Sequence, residues 1–202
     1  MSTMAGSQVV PLPVDQPIWD RVFTVAPLII IGSQEENGHY NLAPKHLATP
    51  IGWDNYYGFV CSPRHSTYHN IRRLPEFTVS FPRPTELVTT SLAAAPRCED
   101  LSKPSLLALP TFPARHVQGV LVQDCYFYLE CRLHSIIDGF GKNSLIIGEV
   151  VAAAAREDAL RMDERDEAEQ IDQAPLLVYL SPGRYAEVRR SAAFPFPKGY
   201  SR

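Results

Sequence analysis

The chain has 202 residues, of which 45% are hydrophobic and 20% are charged, and these proportions suit one soluble domain with a core of ordinary size. Its 19 Lys and Arg residues and 22 Asp and Glu residues leave a formal net charge of -3, so no whole-chain attraction to nucleic acid or to an anionic membrane is expected. No apolar run approaches the roughly 20 residues of a membrane span, and the first residues, MSTMAGSQ, do not resemble a secretion signal, so we predict a cytoplasmic protein.

Three strands are predicted in the first third of the chain, behind a loose, proline-rich arm over residues 1–17. The first is Val22–Ile31, which is β-branched and apolar. The pair Asn37-Gly38 is a strong hairpin signal, and a second strand follows from Tyr40 to Ala43, where a proline limits further pairing. The third strand is Asn55–Cys61, so the chain is expected to begin as antiparallel β structure.

Two helices are predicted on either side of the next strand. The first runs from about Thr67 to Leu74 and is ended by a proline, and the strand Glu76–Phe81 follows directly. The second helix, Pro84–Ala95, has proline and threonine at its start and apolar residues at helical spacing. Residues 96–119 contain several prolines and little periodicity, so we expect a long loop with at most a short helix.

The last third of the chain is predicted to contain three more strands. Tyr126–Ile137 alternates apolar and polar residues, which indicates a strand with one dry face, and the apolar run Ser144–Ala154 follows a glycine-containing turn. The acidic residues 156–172 predict a solvated helix or loop. Pro175–Tyr179 is predicted as a final short strand, with Ser181–Tyr185 as its turn. Six or more strands joined by hairpins favour a mainly β fold, an antiparallel barrel with inserted helices, over alternating βαβ units.

The stretch CSPRHSTYHNI, which begins at Cys61, places a cation and two hydroxyl groups ahead of the first helix. Ser66 or Thr67 could simply cap this helix, or Arg64 and His65 could form a solvated turn. Alternatively, the hydroxyl groups, the cation and the helix N-terminal amides could converge on one anion, as they do in phosphate sites. The residues alone leave these alternatives open.

A second candidate segment, NLAPKHL, begins at Asn41 at the end of a predicted strand. It could be an ordinary exit from a strand into a loop. It could also hold exposed amides and carbonyls from Leu42 to Lys45 against the edge of a flat heteroaromatic ring, with the lysine supplying positive charge. Physical reasoning alone does not choose between the two.

Other kinds of chemistry receive little support from the sequence. His65 and His69 are four residues apart, but the peptide HSTYH lacks the glutamate of a metalloprotease helix, so no metal site is predicted. Neither a G-x-S-x-G nucleophile elbow nor a G-x-G-x-x-G loop after a strand occurs. The four cysteines have no C-x-x-C spacing and are expected to be reduced.

Taken as an ordered set, the motifs resemble a known family. The segments NLAPKHL, FVCSPRHSTYHNI with EFTVSF, YLECRL, NSLIIGEVV and PLLVYLSPGRY occur in the order found in the flavin reductase-like family of the FMN-binding split-barrel superfamily. The resemblance covers roughly Pro17 to Tyr185. It implies a domain over residues 18–190 with a tail over residues 191–202, an antiparallel split barrel of Greek-key type, and a homodimer that binds FMN at the subunit interface.

The resemblance also implies which residues bind the cofactor. One set is similar to the segment that lines the flavin ring and reaches its ribityl chain: Asn41, Leu42, Ala43, Pro44, Lys45 and His46. A second set is similar to the phosphate-binding turn and helix start: Arg64, His65, Ser66, Thr67 and Asn70. Such residues suit a phosphate dianion, because arginine and hydroxyl donors add to the helix dipole.

Two positions depart from the family pattern. His46 stands where many relatives have a serine, and Asn143 stands where many have a histidine on the nicotinamide side of the flavin. Asn143 could hydrogen-bond a carboxamide but cannot donate a proton near neutral pH. We therefore expect an FMN-dependent oxidoreductase that passes hydride from NADH or NADPH through flavin N5 to free flavin or another acceptor. The alternative is an FMN-binding electron-transfer protein that does not oxidise NAD(P)H itself, and an activity like that of pyridoxamine phosphate oxidase is a third possibility.

Overall fold

The computed structural model describes residues 9–99, 102–161 and 167–199. Within these ranges the chain is mainly β structure with short helices. The strands are β1 (Thr24–Pro27), β2 (Ile29–Gln34), β3 (Tyr40–Lys45), β4 (Ala48–Pro50), β5 (Tyr56–Cys61), β6 (Glu76–Phe81), β7 (Thr111–Pro113), β8 (Val120–Val122), β9 (Phe127–Phe140), β10 (Asn143–Ala155), β11 (Leu176–Ser181) and β12 (Arg184–Val188). The α-helices are α1 (Ser66–Arg73), α2 (Leu87–Leu92) and α3 (Glu167–Gln173), and 3-10 turns lie at Pro84–Glu86, Pro104–Ala108 and Glu157–Ala159.

Seven strands form one antiparallel sheet in the order β3-β2-β6-β9-β10-β5-β4. The two edge strands, β3 and β4, are joined by His46 and Leu47 alone. Three residue steps span at most about 11 Å. In a flat sheet these two edges would lie roughly 29 Å apart. The sheet must therefore curl until its edges approach, which confirms the expectation of an antiparallel barrel.

The two faces of β2 pack into different apolar clusters. Ile29 and Ile31 point into the barrel, where they join Phe59 and Phe77, whose rings meet edge-on at 5.4 Å. Ile30 points outward into a second cluster with Leu42 and residues of the segment that follows α2. Burial on both faces explains why this strand reads as a continuous apolar run. It also holds in place the β2–β3 hairpin, which carries the NLAPKHL segment.

The first predicted strand is wrong in one respect, because Val22–Ile31 is two strands and not one. The chain changes sheets at Leu28: β1 pairs with β11 in a three-stranded sheet with β12, whereas β2 belongs to the barrel. The apolar pattern of the sequence does not reveal such a change, because both strands belong to one continuous, largely apolar run. A further small sheet pairs β7 with β8 inside the predicted loop.

The other predicted elements differ from the structure mainly in length. The strand Glu76–Phe81 and the strand that ends at Cys61 are confirmed. The helix predicted over Pro84–Ala95 is shorter, because a 3-10 turn precedes α2 and the α-helix ends at Leu92. Ser181–Tyr185 contains a turn as expected, but Arg184 already begins β12, which the sequence analysis did not predict.

The described residues at both ends of the chain and in the acidic segment lie outside the barrel sheet. Residues 9–17 and 191–199 have no regular structure and are mostly exposed, and residues 1–8 and 200–202 lie outside the described ranges. The acidic segment contains a 3-10 turn and α3, with residues 162–166 outside the described ranges. None of the helices in the described part of the chain is long and apolar enough to cross a membrane.

A buried carboxylate holds the loop before β8 against the sheet. Glu130 lies on the predicted polar face of β9 yet is only 7% exposed, and it accepts hydrogen bonds from the backbone N–H groups of Arg115, His116 and Val117 at 2.5 to 3.2 Å. Glu76 accepts a further N–H of this loop, from Gln118, at 2.7 Å. The expectation that β9 has one dry face is therefore wrong at Glu130, because the loop covers the other face there.

The Glu130→Gln variant is expected to lower the free energy of unfolding by about 2 to 3 kcal/mol, because charge-assisted bonds to three amides cannot be matched by a neutral side chain. Urea denaturation measures the change. The matched control is Glu149→Gln on the neighbouring strand, where the carboxylate is exposed and the expected change is within about 0.5 kcal/mol. Equal effects of the two substitutions would contradict this role for Glu130.

Candidate functional site

The two candidate segments lie side by side in the structure and are joined by a buried hydrogen bond. Asn41 Nδ2 on β3 donates to Thr67 Oγ1 on α1 at 3.0 Å, and Thr67 is 1% exposed. Because the hydroxyl oxygen is the acceptor in this bond, its own proton remains available to donate elsewhere. The contact fixes the first residue of the NLAPKHL segment against the start of the helix, 26 residues away in sequence.

The N-terminus of α1 lacks a side-chain cap. Its N-cap residue is His65, which makes no capping hydrogen bond, so the interpretation of Ser66 or Thr67 as the N-cap is wrong. The first turn holds no acidic residue, and both hydroxyl residues belong to it. The guanidinium of exposed Arg64 has no hydrogen-bonding partner within the described ranges. Free amides, two hydroxyl groups and an unpaired cation together form the donor set of an anion site.

A cluster of titratable groups lies where β3 and β5 end. His65 Nδ1 is 4.0 Å from the sulfur of buried Cys61. Burial lowers the pKa of His65 and of His46, and the nearby ammonium of Lys45 lowers both further. Burial raises the pKa of the Cys61 thiol, and the charge of Lys45 partly offsets this rise. At neutral pH the two imidazoles and the thiol of this cluster are therefore uncharged.

His46 does not line the cleft described below but contacts the three-stranded sheet. Its ring stacks on the ring of Tyr179 in β11, with centroids 4.3 Å apart and planes 30° apart. The hydroxyl group of Tyr179 accepts a hydrogen bond from the backbone N–H of Gly183 at 2.8 Å. His46 thus connects the candidate ring segment to β11.

An open cleft of about 910 Å³ lies over β3 and α1. Of the predicted residues, Leu42, Ser66 and Asn70 line it. Asn70 is buried, and its Nδ2 donates to Ser33 Oγ at 3.1 Å, so its amide group also ties α1 to β2. The cleft wall includes two cations that the sequence analysis did not select, Arg97 and Lys103.

Both of these cations hold polar groups of the site in place. Arg97 donates to Asn41 Oδ1 at 2.9 Å and forms an ion pair with Glu35. Lys103 Nζ donates to the carbonyl oxygens of Leu42 at 3.2 Å and Ala93 at 2.5 Å. Burial lowers the pKa of Lys103, and the charge of Arg97 lowers it further. The sequence signal for these residues was weak, because both lie in the aperiodic segment that was predicted as a loop.

β3 is an edge strand of the barrel sheet. Within the described residues β3 pairs only with β2, and Ala43 lies opposite Ile31 in that ladder. Pro44, opposite Ile30, has no N–H to offer a further strand. The expectation that this proline limits pairing is consistent with the edge position of β3. A flat ring could therefore approach the outer edge of β3 without competition from another strand.

A family model for the flavin reductase like domain matches residues 22–188. The chain belongs to this family. A match of this extent covers all the strands of the barrel sheet together with α1 and the cleft. It confirms the resemblance found in the sequence, and with it a flavin-related role for the domain.

Solved structures support the split-barrel fold. A flavoredoxin from Methanosarcina acetivorans superposes with a TM-score of 0.75 at 19% identity, over 96% of this chain and 98% of the other. An FMN-binding protein from Thermus thermophilus, solved with bound 1-cyclohex-2-enone, superposes with a TM-score of 0.71 at 19% identity, over 92% of this chain and 97% of the other. By sequence, an uncharacterized protein from Methanothermobacter thermautotrophicus is 26% identical over 140 residues, which are 65% of this chain and 64% of that protein. The match thus spans less than two thirds of this relative's length.

The remaining predicted site residue, Asn143, does not line the cleft. It begins β10, opposite Phe140, and is exposed. The histidine pair considered for zinc gains no third ligand, since the described residues contain no group of three His, Cys, Asp or Glu side chains placed to hold a metal ion. Asn143 and the cleft are therefore separate features of the described structure.

Proposed function

We propose that the protein is an FMN-binding oxidoreductase that takes hydride from NADH or NADPH and passes electrons to free flavin or another acceptor. The observation that carries the proposal is the buried bond from Asn41 Nδ2 to Thr67 Oγ1. It joins the two segments that the family resemblance assigns to the flavin ring and to its phosphate. Neither segment alone would distinguish a flavin site from a strand exit or an ordinary helix start.

The donor set at α1 fits a terminal phosphate. Thr67 retains a hydroxyl proton, Ser66 faces the cleft, and the helix amides lack a cap. Arg64 can approach the phosphate from the exposed side as a bidentate donor. Lys103 can approach it from the cleft wall as a point charge. Asn41 and Asn70 are already bonded to protein groups, so in this proposal they position the site and do not hold the phosphate themselves.

The outer edge of β3 fits the flavin ring. When bound, FMN supplies a ring that accepts a hydride and passes electrons onward. Backbone groups of Ala43 and its neighbours would meet the donors and acceptors along the ring edge. Lys45 lies at the end of the same strand, where its positive charge would stabilise negative charge on a reduced ring.

We also propose a homodimer with FMN at the subunit interface. Large apolar side chains are exposed on and beside β1 and β4, two strands that contact each other. They are Trp19, Phe23, Val25, Leu47 and Trp53. Exposed apolar patches of this kind mark interaction surfaces. A second copy covering this surface would also enclose the open edge of β3.

Anaerobic mixing of the FMN-loaded protein with NADH and with NADPH tests the proposal. An NAD(P)H oxidoreductase is expected to bleach the flavin absorption band with at least one nucleotide on the timescale of turnover. Retention of FMN with slow bleaching by both nucleotides would instead favour the electron-transfer protein, which Asn143 in place of histidine keeps open. A failure to bind FMN would contradict both.

A further inference from the structure

The hairpin between β9 and β10 is anchored to α1 by a three-residue network. The carboxylate of Asp138 accepts a hydrogen bond from Ser144 Oγ at 2.6 Å across the hairpin. Both of its oxygens also accept from the hydroxyl group of Tyr68 on α1, at 3.1 and 3.3 Å. Ser144 and Tyr68 are buried, whereas Asp138 lies at the surface. The network therefore connects two elements that are 70 residues apart in sequence.

The hairpin needs this anchor because its end projects beyond the rest of the sheet. β6 pairs with β9 only as far as Arg132, and β5 pairs with β10 only as far as Ser144, so within the described ranges residues 138–143 extend past both neighbouring strands. The ladder is irregular between Asn143 and Leu145, and the turn contains Gly139 and Gly141 at positive φ. A projecting, irregular hairpin end is held mainly by its side-chain contacts.

The network also links the two separated parts of the proposed site. Tyr68 directly follows Thr67, and Ser144 directly follows Asn143. The guanidinium of Arg72 lies over the Tyr68 ring, 5.6 Å from its centroid. The hydrogen bonds from Ser144 and Tyr68 lower the pKa of Asp138, so the carboxylate is ionised at neutral pH and acts as an acceptor for both hydroxyl groups.

We infer that Asp138 is a positioning residue that couples the phosphate end of α1 to the hairpin end carrying Asn143. Binding of a phosphate at Ser66 and Thr67 would order the first turn of α1, and Tyr68 would transmit that order through Asp138 to Asn143. The inference rests on the proposed FMN site but assigns a separate role to residues outside it. It differs from a purely structural role, which would stabilise the hairpin equally with and without FMN.

Amide hydrogen exchange of residues 138–144, measured with and without saturating FMN, tests the inference. In the wild type, FMN is expected to slow exchange in this segment about tenfold. In Tyr68→Phe, which removes only the bond between α1 and the hairpin, the slowing is expected to fall below about twofold. In the control, Ser144→Ala, basal exchange is faster, but the FMN-dependent slowing remains because the Tyr68 bond is kept.

Two results would overturn the inference: no FMN-dependent slowing in the wild type, or the full slowing in Tyr68→Phe. In parallel, FMN binding to the same samples is measured by titration with flavin absorbance as the readout. Binding without coupling would reject the role of Asp138 and leave the proposed function intact, whereas absence of binding would reject the proposed function and this role with it. Exchange of core amides in β6 reports whether each variant is folded.

Discussion

Replacing Thr67 with alanine is expected to weaken FMN binding about 30-fold, the loss that follows when one charge-assisted hydrogen bond worth about 2 kcal/mol is removed. The hydroxyl group is buried, oriented by Asn41 and positioned in the first turn of α1. Fluorescence quenching on FMN titration measures the affinity.

The conservative variant and a charge control separate this effect from general damage. Thr67→Ser keeps the hydroxyl group and is expected to bind FMN within about threefold of the wild type. Arg64→Ala is expected to lose about tenfold, whereas Arg115→Ala, which removes the same charge from an exposed position in the loop before β8, should lose almost nothing. Unchanged affinity in both Thr67→Ala and Arg64→Ala would refute the phosphate assignment.

The Lys103→Gln variant is expected to bind FMN about tenfold more weakly at pH 7 and low salt, because a half-buried ammonium interacts with a phosphate more strongly than an exposed one. The pKa of Lys103 is lowered from its usual value of 10.5, so the wild-type lysine loses its charge at a lower pH than usual. Wild-type affinity should therefore fall on the alkaline side earlier than expected for an ordinary lysine, and this fall should be absent in Lys103→Gln.

Lys198→Gln in the exposed C-terminal segment is the matched control for net charge. Its affinity and pH profile should follow the wild type. An identical alkaline fall in Lys103→Gln and in the wild type would show that another group is responsible, and Lys103 would then be only a support for the carbonyl groups of Leu42 and Ala93.

Elements defined by local sequence were predictable. The strand Glu76–Phe81 lies between a proline and a turn, and its apolar residues alternate, so its bounds follow from neighbouring residues. The break at Leu28 was not predictable, because it depends on which sheet each half of an apolar run joins. Glu130 was misread for a similar reason, since only the folded loop reveals that its face of β9 is covered.

The residues of the candidate site likewise differ in whether the sequence could predict them. The basic residues before α1 and the hydroxyl residues of its first turn could be found in sequence, because they are adjacent and lie at a helix start. Arg97 and Lys103 could not, because their contacts with Asn41 and Leu42 cross about 60 residues and no local pattern marks them. The site residues, the homodimer and the cytoplasmic location stay predictions, and the titrations above and below test the site residues.

Comparison of FMN with riboflavin tests the central claim most directly, because the two ligands differ only in the terminal phosphate. Titration of the purified protein is expected to give an affinity for FMN at least about 100-fold higher than for riboflavin, equivalent to about 2.7 kcal/mol from the phosphate contacts at α1. Equal affinities for the two ligands, or no binding of either, would contradict a phosphate site formed by Arg64, Ser66 and Thr67 beside the ring segment of β3.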